Sequence, residues 1–199
     1  MLDTSSSPQP TNDAADDAGS KACLNGIDLD GVVDLVDAIK TGARCGRACF
    51  RVKTQWKGQT RTESTVESFT CAGEPIPRTF TIVSDEPTEL LGTDSAPNPQ
   101  ELLLSAVNAC MMVGYVAQAA VRGVTLTDCR IETDGELDLR GFLGLDQEIP
   151  AGYRRINYTV HLEGDGTAEQ YDEIHRAVLA SSPNYFNLAQ PVQMCGRLT

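Results

Sequence analysis

Seven cysteines carry most of the chemistry that this 199-residue sequence could perform: Cys23, Cys45, Cys49, Cys71, Cys110, Cys129 and Cys195. A thiolate is both a nucleophile and a metal ligand, and two thiols can form a redox couple, so spacing is the first thing to weigh. Cys45 and Cys49 form a C-x3-C pair that could bind a metal, act in redox sensing, close a local disulfide or remain two ordinary thiols. A tetrahedral metal site needs two further ligands at recognisable spacing, and the chain offers only His161 and His175. His175 sits between Glu173 and Arg176 in a helical pattern and reads as a surface residue, so no metal site is expected. Cys110 is different, because it lies near the middle of NPQELLLSAVNACMMVGYVAQAAVR, residues 98–122.

The element that positions Cys110 is legible. Asn98 supplies a cap, Pro99 suits the first turn, Glu101 sits where the helix dipole favours negative charge, and apolar residues run almost unbroken to Val121. Such a helix is long enough to span a bilayer, but Ser105, Asn108 and Gln118 interrupt it and no Lys/Arg cluster flanks it, so no membrane partner is expected. The other reading is a central core helix, wrapped by a sheet and a second subunit. There Cys110 is either a small buried hydrophobe or a functional thiol. Asn108, an amide within the apolar run, must be hydrogen-bonded if buried and is a candidate pocket or dimer contact.

Composition narrows the class. A net charge of −12 and a pI near 4.5 exclude a basic stripe for nucleic acid or an anionic membrane. An odd number of cysteines, with Asp3 early and no apolar leader, predicts reduced thiols in a cytoplasmic protein. No cofactor is expected.

In chain order, residues 1–22 read as a disordered acidic tail and residues 23–47 as a helical extension, with Val32, Leu35, Val36 and Ile39 at helical spacing. Residues 48–199 read as one domain. Phe50–Trp56, Thr62–Cys71 and Arg78–Val83 form a strand meander, followed by a surface loop to Pro97 and the long helix. Strands over Thr127–Leu139 and Tyr153–Glu163, with a loop over Arg140–Gly152 between them, a helix over Ala168–Ala180 and a last strand over Val192–Leu198 complete an α+β pattern.

This order of elements, the Asn-Pro-x-Glu-Leu-Leu helix start followed at fixed distance by Ala-Cys, and the late SSPNYFNLA segment resemble the OsmC/Ohr family of osmotically inducible and organic-hydroperoxide-resistance proteins. The resemblance spans roughly Ala48 to Thr199. It implies antiparallel sheets packed around a long central helix, in an intertwined homodimer with sites at the subunit boundary. It also implies reduction of an organic hydroperoxide by a thiolate that becomes a sulfenic acid, with a second cysteine capturing it, an arginine holding the thiolate and a helix-start carboxylate orienting the arginine.

Carried onto this chain, the resemblance makes Cys110 the peroxidatic residue. The helix-start carboxylate falls at Gln100, with Glu101 one step on and about 100° round the helix. The resolving position is Ser182, which cannot form a disulfide, so Cys195 or an external thiol reductant is the remaining route. Arg78 and Arg61 are the candidate arginines, each with a competing reading as a solvated strand-end charge. Asn108, Ser182, Tyr185 and Phe186 are expected to shape a largely apolar pocket for a small organic hydroperoxide or apolar ligand. The alternative is a non-catalytic dimer of the same fold that binds a small molecule or serves in stress, since Gln100, Ser182 and an all-acid loop depart from the redox pattern.

Overall fold

The computed structural model describes residues 22–199. The tail read at residues 1–22 lies outside them except for Ala22. The elements are β1 (Cys23–Leu24), β2 (Ile27–Asp28), α1 (Leu29–Lys40), β3 (Ala48–Phe50), β4 (Lys53–Trp56), β5 (Thr62–Cys71) and β6 (Glu74–Ser84). Then come a 3-10 turn (Thr88–Leu90), α2 (Pro99–Val121), β7 (Leu126–Gly135), α3 (Leu139–Phe142), β8 (Ile156–Gly164), α4 (Ala168–Ser181) and α5 (Pro183–Ala189). Every described strand pairing is antiparallel, so the chain is α+β as its pattern predicts.

Local signals start α2 where the sequence puts it. Asn98 Oδ1 accepts the Glu101 N–H at 2.8 Å and Glu101 Oε2 accepts the Asn98 N–H at 2.8 Å, a reciprocal cap that satisfies two otherwise orphaned donors. Val107, Met111, Tyr115 and Ala119 then recur every four residues as one stripe, buried with Ile174 and Val178 of α4. Ile131 of β7 and Tyr158, Val160 and Leu162 of β8 pack against that cluster. By length and composition α2 could cross a membrane, yet this stripe is occupied by α4 and β7. Outside that stripe Leu103, Val113 and Val121 are exposed.

The meander forms a separate antiparallel sheet centred on β5. The single strand expected over Phe50–Trp56 is two, because Phe50 pairs with Phe69 and Lys53 with Thr65, three residues against four, and the ladder breaks at Arg51 and Val52. The third strand begins at Glu74, four residues before Arg78, and includes Pro75 and Pro77. Prolines are tolerated there because β6 pairs only with β5, leaving an edge on which a missing N–H costs no bond.

Two further expectations are corrected. Residues 192–198 form no strand among the described elements, since none of the described sheet edges pairs with them. β7 ends at Gly135, and Asp138 caps α3 by accepting the Arg140 N–H at 2.9 Å, so the segment expected as a loop begins with a helical turn. Ser182 caps a real helix, α5, with Pro183 in its first turn.

The loop into α2 is built on Asp85, which is fully buried. Its Oδ1 accepts from Thr60 Oγ1 at 2.6 Å and from the Glu86 N–H at 2.9 Å. Its Oδ2 accepts from Ser95 Oγ at 2.8 Å, from the Ser95 and Thr93 N–H groups at 3.2 and 3.1 Å, and from the Thr93 hydroxyl. Gly92 is required here, since a Cβ would lie 1.8 Å from the Glu86 carbonyl oxygen. The Thr60 bond first, then those from Thr93 and Ser95, outweigh burial and hold the Asp85 carboxyl far below the usual carboxylate range. A depressed folded-state pKa adds stability above the unfolded value, about 3.9, and that stability is lost as pH falls below it. Asp85→Asn is therefore expected to lower the melting temperature most near pH 7, with the gap to the natural protein narrowing below about pH 4 in thermal scans.

Candidate functional site

Helices α2 and α4 run antiparallel with a register that three contacts define. Gly114 faces Val178, where a Cβ would come within 3.3 Å of both Val178 methyl groups. One turn back along α2 and one turn on from Val178, Ser182 Oγ lies 3.4 Å from Cys110 Sγ. In the other direction, Tyr115 OH lies 2.5 Å from His175 Nδ1. The sulfur is thus delivered to the serine by the same packing that builds the core.

Ser182 is buried and does three things. It ends α4, caps α5 by accepting the Tyr185 N–H at 3.4 Å, and donates to Cys110 Sγ. Asn184 Nδ2 donates to the Ala106 carbonyl at 2.8 Å, fixing α5 on α2. Tyr185 then meets Tyr158 edge-on, with ring centroids 6.3 Å apart. Beside these lies a cavity of about 340 Å³, lined by Val107, Met111, Tyr158, Tyr185 and Leu188 and by the guanidinium-bearing Arg154 and Arg155. Cys110 is half-buried at the edge between this core side of α2 and its exposed stripe, about 60° round the helix from Val107.

The structure disperses the other expected site residues. Asn108 accepts from Thr133 Oγ1 at 2.5 Å and donates to the Ile131 carbonyl at 3.4 Å, which ties α2 to β7. Phe186 faces solvent, while its neighbours Tyr185 and Leu188 line the cavity. Glu101 is occupied by the cap of α2, and Gln100 lines a different cavity at that helix start, together with Glu86 and Tyr153. Arg78 lies on the meander with its guanidinium carbon 4.6 Å from the Phe69 ring centre and 5.7 Å from that of Phe80. Arg61 closes the β4–β5 turn through its backbone, donating to the Gly58 carbonyl at 2.9 Å. Cys195 is exposed in the final irregular segment, and Cys45 and Cys49 are exposed, unbridged thiols.

Other thiols are less suited to attack or lie elsewhere. Burial first, then the charge of Asp128, pushes the Cys129 thiol up. Cys71, at the end of β5, receives Arg44 Nη2 at 3.4 Å. Among the described residues no group of three or more His, Cys, Asp and Glu side chains converges to hold a metal ion.

Sequence reasoning missed Arg154 and Arg155, whose signal was a basic pair directly before a strand in a strongly acidic chain. It also misread His175. The ring is turned inward onto Tyr115, and burial pushes the Tyr115 phenol far above its usual range.

Comparisons with known proteins agree with this architecture. Residues 92–194 match the family model described as OsmC-like protein. A search of curated proteins found no match. Among solved structures, an OsmC-like protein from Mycoplasma pneumoniae superposes with a TM-score of 0.57 at 16% identity, covering 71% of this chain and 88% of that one. A candidate osmotic-stress-induced and detoxification-response protein from Psychrobacter arcticus gives 0.52 at 14% identity, covering 67% and 84%. An OsmC-like protein of unknown function from Vibrio cholerae gives 0.50 at 12% identity, covering 68% and 90%. At such identities these likenesses speak for the fold, and the family match, which covers more than half of the sequence and includes Cys110 and Ser182, shows that the chain belongs to the OsmC-like family.

Proposed function

We propose that this chain reduces organic hydroperoxides with Cys110 as nucleophile, works through that one cysteine and is regenerated by an external thiol. The observation that carries the reading is the Cys110 sulfur held half-buried against a hydroxyl donor, on a helix whose Val107 and Met111 line a largely apolar cavity with two arginines in its wall. The Cys110 thiolate attacks the terminal oxygen of ROOH, an S–O bond forms, the O–O bond breaks, and the alkoxide leaves and takes up a proton as ROH. Cys110 is then a sulfenic acid. An external thiol attacks its sulfur, releasing water and leaving a mixed disulfide, and a second thiol frees Cys110 and departs as the external disulfide. The apolar wall suits the alkyl or aryl group of the peroxide, and Arg154 and Arg155 supply positive charge where alkoxide develops. With dithiothreitol or dihydrolipoamide, purified protein is expected to consume cumene or tert-butyl hydroperoxide, and Cys110→Ser to lower the rate to background. Equal rates in both would leave the non-catalytic reading in its place.

Ser182 stands where a disulfide could otherwise form, since its oxygen is already 3.4 Å from the sulfur. Ser182→Cys is expected to link the introduced thiol to Cys110 on peroxide treatment, found as a cross-linked peptide pair by mass spectrometry. A link from Cys110 to Cys195 instead would mean that the natural chain already resolves internally.

The same reading includes a homodimer. Val113 on α2 is 69% exposed and Trp56 on the meander is 74% exposed, and each belongs to a wider apolar surface: Leu103 and Val121 on the helix, Phe50, Phe80 and Ile82 on the sheet. Each surface is of the kind that monomers rarely leave in water. The meander of a second copy laid on the exposed stripe would cover both and bring that copy's Arg61 or Arg78 toward Cys110. Light scattering is expected to give twice the 21.4 kDa chain mass, and Val113→Lys to give the monomer mass. A monomer mass for the natural chain at tens of micromolar would sink the dimer.

A further inference from the structure

We infer that the chain carries a second binding site, an aromatic pocket between β8 and α4 that takes a small alkylated ammonium cation. The site is an open cavity of about 560 Å³ lined by Tyr115, Tyr158, Tyr171, His175 and Asp172, with Leu162 among its apolar walls. It shares only Tyr158 with the cavity lined by Val107, Met111 and Tyr185.

Ring geometry gives the pocket its character. Tyr115 and His175 have ring centroids 6.0 Å apart and planes within 16°, while the phenol oxygen and Nδ1 are 2.5 Å apart. The hydrogen bond joins the two rings with their planes nearly parallel, so the buried Tyr115 holds the orientation of the His175 ring. Tyr158 closes a second side, 6.4 Å from the His175 ring and tilted by 42°. Tyr171 stands at the end facing Gly166, whose N–H it accepts at 3.3 Å.

Tyr115 is fully buried, and its hydroxyl is paired with His175 Nδ1. Asp172 is the one carboxylate in the lining, and no lysine or arginine is among the lining residues.

The Tyr158 and Tyr171 rings, the His175 imidazole and one carboxylate favour a cation whose charge is spread over alkyl groups. The aromatic faces attract such a charge, the alkyl groups fill the apolar walls, and the carboxylate at the exposed rim completes the pairing. A compact, strongly hydrated ammonium would give up more hydration for the same contacts. The chain's net charge of −12 raises the local concentration of any cation.

The test compares choline with its neutral isostere 3,3-dimethylbutan-1-ol, titrated into the full chain and followed by calorimetry and by proton NMR. Choline is expected to bind saturably and about tenfold or more tightly than the isostere, a gap of the size that cation–π contacts and one carboxylate provide. Asp172→Asn and Tyr171→Leu are each expected to weaken choline binding several-fold with hydroperoxide consumption unchanged. Asp172 is exposed, so its variant tests the site without disturbing the core. Equal binding of choline and the isostere, no saturable choline binding, or undiminished affinity in Asp172→Asn would each overturn the site.

Discussion

The contact of Gly114 with Val178 is the constraint on which the arrangement depends. Two helices approach this closely only where one of them carries no side chain, and the antiparallel register that follows leaves no freedom one turn away in either direction. On one side it brings Ser182 to Cys110, and on the other it brings His175 to Tyr115. A pocket built on aromatic rings and a sulfur site built on a hydroxyl are thus two ends of a single packing decision.

The sulfur's place on the helix surface matters as much as its neighbours. It is neither sealed with Met111 and Tyr115 in the core nor standing free with Val113 in solvent. A thiol at such an edge can be reached by a small oxidant, while a fully buried thiol such as a core cysteine is inert. Cys129 is half-buried too, but there burial and Asp128 both oppose ionisation.

Much of this could be read from the residues. Asn98, Pro99 and Glu101 announced where α2 begins, because capping is local chemistry and needs no knowledge of the rest of the chain. Long-range outcomes were less legible. The end of the chain, with Val192 and Leu198, has strand-like composition, but a strand exists only if another edge accepts it. Pro75 and Pro77 fall outside the third strand expected from Arg78, because nothing in sequence says that β6 would be an edge. Ser182-Pro183 carries the same start signal as Asn98-Pro99, and it too caps a helix. His175 read as surface because its flanking charges dominate the local pattern, whereas its partner Tyr115 lies 60 positions away. Asp85 looked like one of several loop acids, and only its hydrogen bonds to residues as far apart as Thr60 and Ser95 distinguish it.

One amide near the start of the described chain has a wider meaning. Asn25 donates to the Val124 carbonyl and accepts the Leu126 N–H, both at 2.9 Å, at the corner where α2 gives way to β7. A residue about a hundred positions upstream thereby completes the main-chain bonding of that corner, and its own backbone sits at φ 52° to do so. Shortening the polypeptide to begin at Ile27 would strip partners from two peptide groups beside the buried side chain of Val124. The turn between β1 and β2 is therefore tied to the same corner as the cysteine helix, and it should open with that corner, not before it.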